Sequence, residues 1–158
     1  MMGFGLSEHL WWRIVLQKYD GWTCFSKQEF EQLSKEGKVV DARRGGLVVG
    51  RSHDEGNIYM LKQYGEGYRV INHMEGGEYV ICHEALMTHK DRIISMNSKR
   101  MKCKFVDIDV LRHTPLLVTT QKGNFDKFLL FDERVQFVVN KGSTCYYLEE
   151  LNWLNEHY

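Results

Sequence analysis

The chain has 158 residues, 43% hydrophobic and 27% charged, with 21 basic and 21 acidic side chains. That composition excludes a long disordered tract, and the zero net charge excludes a global field steering toward DNA or an anionic membrane. The length suits one domain over residues 1–158, large enough to take roughly 68–70% of its extended surface out of water.

The opening Met1-Met2-Gly3-Phe4-Gly5-Leu6 has neither the early positive charge nor the unbroken apolar run of a secretory signal. Residues 10–16, interrupted by Arg13, are too short to span a bilayer. A cytoplasmic protein with no membrane association is the expectation. Cys24, Cys82, Cys103 and Cys145 show no C-x-x-C spacing, so four buried or half-buried thiols are expected.

In chain order, Ser7 and the spacing of Leu10, Trp11, Ile14, Val15 and Tyr19 predict a helix over 7–19, ended by Asp20-Gly21. Ser26 and Glu29 have capping-box spacing, Phe30 and Leu33 supply an apolar stripe, and Gly37 is a stop. These predict a second helix over 26–36. Short β-rich runs then alternate with glycine turns, which predicts strands at 38–42, 47–50, 58–64, 68–74 and 79–83. Gly65-Glu66-Gly67 and Gly76-Gly77 read as hairpin turns. The stretch 38–84 is expected to form a meander.

Residues 84–97 allow a helix or an irregular crossover. Strands are expected near 102–110, 116–121, 125–131 and 134–140, with Lys122-Gly123-Asn124 joining the second and third as a hairpin. A closing helix is expected over 145–157, with Ser143 or Thr144 as N-cap and Leu148, Leu151 and Leu154 facing inward. The fold class is therefore α+β, a mainly antiparallel sheet of hairpins with helices near the two termini.

Strand pairing makes a spatial expectation. The Gly76-Gly77 turn would set Glu75 opposite Glu78, Met74 opposite Tyr79 and His73 opposite Val80. The Gly65–Gly67 turn would set Tyr64 opposite Tyr68 and Tyr59 opposite His73. The 51–57 loop and the 75–78 turn then share one end of the sheet. His53, Asp54, Glu55, His73, Glu75 and Glu78 would gather there, two imidazoles and four carboxylates. Such a set suits a divalent ion, zinc or manganese, able to activate water. It equally suits an acidic edge that meets a basic partner, or plain solvated turns.

Other signals carry less. Cys82-His83 cannot pair as nucleophile and base, because neighbouring strand residues face opposite ways. His83 and His89 stand six apart, about 240° around a helix, which does not fit the zincin spacing. Asp107-Ile108-Asp109 places two acids on one face of an expected strand. The only basic stretch, Lys90, Arg92, Lys99, Arg100, Lys102 and Lys104, has Phe105 as its sole aromatic neighbour, so nucleic-acid binding is not expected. Trp11 and Trp12 cannot both face one core at helical spacing, and with Trp22 and Trp153 they offer an aromatic contact surface for a protein partner or for self-association.

No motif here names a reaction or a family. Two functions remain. One is a small non-catalytic module that acts by protein–protein binding and needs no cofactor. The other is a metal-dependent hydrolase or nuclease at the His53/His73 rim.

Overall fold

A computed structural model describes residues 21–52, 58–97, 106–119 and 127–157. The expected 7–19 helix, the 122–124 turn and the start of the 102–110 strand lie outside the described residues, as do Trp11, Trp12 and Cys103.

The first elements follow local chemistry. Strand β1 (Cys24–Phe25) leads into helix α1 (Lys27–Lys35). Ser26 Oγ accepts from the Glu29 N–H at 3.1 Å, and Glu29 Oε1 accepts from the Ser26 N–H at 3.0 Å. This is the expected capping box. At the other end Gly37 takes φ +72°. Its N–H donates to Ser34 O at 3.1 Å, and the Lys38 N–H donates to Leu33 O at 3.0 Å. That pair of bonds is a Schellman stop, which requires the left-handed conformation glycine adopts freely.

Strands β2 (Val39–Asp41), β3 (Gly46–Val49), β4 (Ile58–Tyr64), β5 (Gly67–Met74) and β6 (Tyr79–Ile81) fall where the alternation places them. Residues 84–97 resolve into two short helices, α2 (His83–Thr88) and α3 (Lys90–Met96), broken at His89. Helix α4 (Ile108–Arg112), strands β7 (Leu116–Val118), β8 (Lys127–Phe131) and β9 (Phe137–Val139), and helix α5 (Lys141–Glu156) follow. Among the described residues no helix is long and apolar enough to cross a membrane.

The expected meander does not form. One sheet has the order β1-β5-β4-β8-β2 and the other β7-β3-β6-β9. Pairs β2–β8, β4–β8 and β3–β7 run parallel, so both sheets are mixed. The β4–β5 hairpin is present, but its loop is the two residues Gly65-Glu66, and Tyr64 faces Gly67 instead of Tyr68. Gly65 has φ +58° and Glu66 a negative φ, the pattern of the turn that suits strand twist. A register shift between Met60 and Leu61 then restores Tyr59 opposite His73 as expected.

The Gly76-Gly77 turn is the main departure. It carries the chain from one sheet to the other instead of folding β6 onto β5. Its backbone donors are used against the end of β3: Gly76 N–H to Arg51 O at 2.7 Å, and Gly77 N–H to Val48 O at 2.8 Å. Strand β6 pairs with β3 and β9, so Glu75, Met74 and His73 do not face Glu78, Tyr79 and Val80 across a ladder. The hairpin expected through 122–124 fails for a similar reason. Strand β7 joins β3, whereas β8 inserts between β4 and β2.

Core residues sort into layers. Phe30 and Leu33 of α1 pack over Leu61, Val70 and Phe128 on one face of the first sheet. Ile58, Met74 and Leu129 meet Val48, Val80 and Leu117 between the sheets. Tyr79 and Ile81 point from the second sheet onto Ala85, Leu86, Ile93, Met96, Leu148, Leu151 and Leu154 of α2, α3 and α5. Helix, sheet, sheet and helices therefore stack in that order. Strand β6 is buried on both faces, which explains its unbroken apolar run.

Two terminal details also differ. The α5 N-cap is Asn140, whose side chain accepts from the Ser143 N–H at 3.0 Å. Ser143 and Thr144 are buried inside the helix and donate to Met96 O at 2.6 Å and Val139 O at 3.0 Å. Asp107 caps α4 by accepting from the Asp109 N–H at 2.8 Å. That short loop-to-helix bond replaces the strand expected over the described part of 102–110.

Candidate functional site

The residues expected at the rim are only partly described. His53, Asp54 and Glu55 lie outside the described residues. His73 is exposed on β5, with its backbone N–H donating to Asn72 Oδ1 at 2.8 Å. Glu75 and Glu78 are half-buried, and Glu78 Oε1 accepts from the Glu75 N–H at 2.8 Å, so this carboxylate closes the turn. The bond from Gly76 to Arg51 brings the start of the 51–57 loop to the turn. Among the described residues no three His, Cys, Asp or Glu side chains are arranged to hold a metal ion.

The remaining sequence signals resolve individually. Cys82 is buried, and His83 Nδ1 donates to Val135 O at 2.8 Å, so the two do not form a catalytic pair. Cys24 is an exposed free thiol and Cys145 is disulfide-bonded, against the expectation of four buried or half-buried thiols. Arg92 is held by both carboxylate oxygens of Glu150 at 2.6 and 2.7 Å, which lowers the Glu150 pKa.

A different surface assembles around α5. Its apolar stripe points Leu148, Leu151 and Leu154 inward, as expected. Helical periodicity then turns Tyr146, Glu149, Glu150, Trp153 and Glu156 outward. Alongside lies α4, which buries the Val110 side against the helix-covered core and leaves Ile108 62% exposed.

A groove of about 480 Å³ runs between the two helices. Asp107, Asp109, Glu149 and Glu156 line it with His113, and Val110, Asn152 and Trp153 complete its walls. A second hollow of about 420 Å³, lined by Tyr146, Tyr147, Glu149, Glu150 and Trp153, lies on the other side. Trp153 and Glu149 form the shared ridge. The indole is 51% exposed, with its ring centre 4.2 Å from that of His157.

The electrostatics of the groove are one-sided. Among the described residues no lysine or arginine lines either hollow. Glu150 is balanced by Arg92, and Asp109 lies 3.6 Å from Arg112 in a fully hydrated pair, which contributes little. Among the described residues Glu149 and Glu156 have no ion-pair partner. Because the whole chain is neutral, this is local segregation of charge.

The groove wall is rigid from beneath. The Tyr79 hydroxyl donates to Asn152 Oδ1 at 2.9 Å, and Asn152 Nδ2 donates to Thr114 Oγ1 at 2.8 Å. Asn155 accepts from the Cys82 N–H at 3.0 Å and donates to Val80 O at 3.1 Å. Burial pushes the Tyr79 phenol pKa up, which keeps it a neutral donor. Sequence reasoning placed Trp153 among possible contact residues but missed Asn152 and Asn155. Their signal is two amides on the inward side of a leucine-lined helix, where polar groups need partners.

Comparison with family models, curated proteins and solved structures finds no match to this chain. Trp22, 83% exposed, is another outward aromatic, with the Arg69 guanidinium 5.6 Å from its ring and 5.7 Å from that of Tyr64.

Proposed function

We propose that this chain is a non-catalytic module that binds another protein through the outer face of α5 and its groove with α4. Trp153 carries the reading. A half-exposed indole on a ridge between two hollows presents a large rigid contact area at low entropic cost. Trp and Tyr are enriched where partners bind, and Tyr146 stands beside it, 54% exposed.

Affinity capture tests this. The tagged full chain and a Trp153→Ala variant are expressed in the native host and purified in parallel. One protein is expected to be retained by the wild type and lost with the variant, while both melt alike. Identical captured sets would overturn the reading.

The alternative, a metal-dependent hydrolase or nuclease, draws on one observation. The Arg51–Gly76 hydrogen bond supports a rim shared by the 51–57 loop and the 75–78 turn. Zinc or manganese would then raise the melting temperature, and His53→Ala with His73→Ala would abolish the rise. A flat response to both ions would remove this alternative.

A further inference from the structure

We infer that the α4–α5 groove receives a lysine or arginine side chain from a basic, apolar-flanked segment of the partner, its cation seated against Trp153 between Glu149 and Glu156. This rests on the protein-binding reading and adds the partner's chemistry.

Helix geometry sets up the cradle. Glu149, Trp153 and Glu156 are spaced i, i+4 and i+7, so they share one stripe of α5. A cation over an indole face is attracted by the ring quadrupole, and flanking carboxylates add direct Coulomb attraction. Asp107 and Asp109 extend the acidic lining across the groove. Exposed Ile108 and Tyr146 give the flanks apolar contacts, which favours a cation between aliphatic or aromatic neighbours over a uniformly charged tail. The buried Asn152 bonds hold the wall in place before binding, which lowers the ordering cost.

The test uses the full chain and three dye-labelled peptides of equal length, alternating leucine with lysine, glutamine or glutamate. Fluorescence anisotropy reads binding. The lysine peptide is expected to bind about tenfold or more tighter than the glutamine peptide, and the glutamate peptide not at all. Trp153→Ala and the Glu149→Gln/Glu156→Gln double variant should each lose most of that preference, and rising salt should weaken it. These side chains are exposed, so the variants are expected to keep the wild-type circular dichroism spectrum.

Equal binding of the lysine and glutamine peptides would overturn the inference. So would lysine-peptide binding that survives both variants. Failure of all peptides, alongside Trp153-dependent capture of a host protein, would end the inference and leave the protein-binding reading standing. Sedimentation that showed a Trp153-dependent dimer would give the groove to a second copy and also overturn it.

Discussion

The buried hydroxyl of Tyr79 donates to Oδ1 of Asn152 at 2.9 Å, across 73 positions of sequence. This bond ties the centre of the second sheet to α5, and Asn152 passes the link on to Thr114 after α4. Strand, helix and groove wall thus share one buried polar chain.

Breaking that chain on one side should cost more than removing both partners. Asn152→Leu leaves the Tyr79 hydroxyl and Thr114 short of a partner inside the core, and a loss of about 1–3 kcal/mol is expected. Tyr79→Phe with Asn152→Leu should be less destabilised than the two single losses added together. Urea midpoints of the three variants and wild type check this. Additive losses would show that the bond is not coupled.

Gly76 should be less replaceable than Gly65. A Cβ on Gly76 would stand 2.4 Å from Gly50 O, a backbone atom with nowhere to move, whereas Gly65 has open space around it. Gly65→Ala should cost about 1–2 kcal/mol for its positive φ alone. Gly76→Ala should cost more, because it separates the turn from the end of β3. Thermal melts of the two variants, compared directly, give the order.

Asp132 predicts a defined acid limb. The side-chain hydrogen bond from Arg134 holds the Asp132 pKa down at about 2. The folded pKa lies below the unfolded one. The stabilisation is therefore full above about pH 4 and fades as pH falls toward the folded value. Asp132→Asn should flatten the loss of stability between about pH 4 and 2. The check is denaturant unfolding at several pH values, where an unchanged slope would refute the linkage.

The two free thiols that are described should differ in reactivity. Cys24 is exposed and Cys82 is buried, its N–H bonded to Asn155. A maleimide should label Cys24 in the native chain and Cys82 only after unfolding. Peptide mapping after brief labelling distinguishes them.

Part of the candidate site was legible in the sequence. Trp153 stood out as an aromatic in a closing helix, and its outward direction follows from the inward leucines. The carboxylates around it were not connected to it. The alternation of Asp107 and Asp109 with Ile108 mimics a β pattern, whereas Ile108–Arg112 is a helix. The cap bond that makes Asp107 a helix start depends on one local conformation and has no period to detect. The His and carboxylate rim was read from a hairpin at Gly76-Gly77. Gly76 instead serves close backbone approach to Gly50, and glycine spacing is the same for either use.

By itself the sequence determined where α1 and strands β2 to β5 lie, to within about a residue. Capping side chains, positive-φ glycines and side-chain alternation act within a few residues, so Ser26, Glu29, Gly37 and Gly65 are readable in place. Only the tertiary structure decided which strands are neighbours, as when Val39 meets Phe128 in a parallel pair. Ladder hydrogen bonds join backbone groups that are alike at every residue, so nothing in the sequence labels a distant partner. That choice follows from burying both faces of each sheet, between α1 on one side and α2, α3 and α5 on the other.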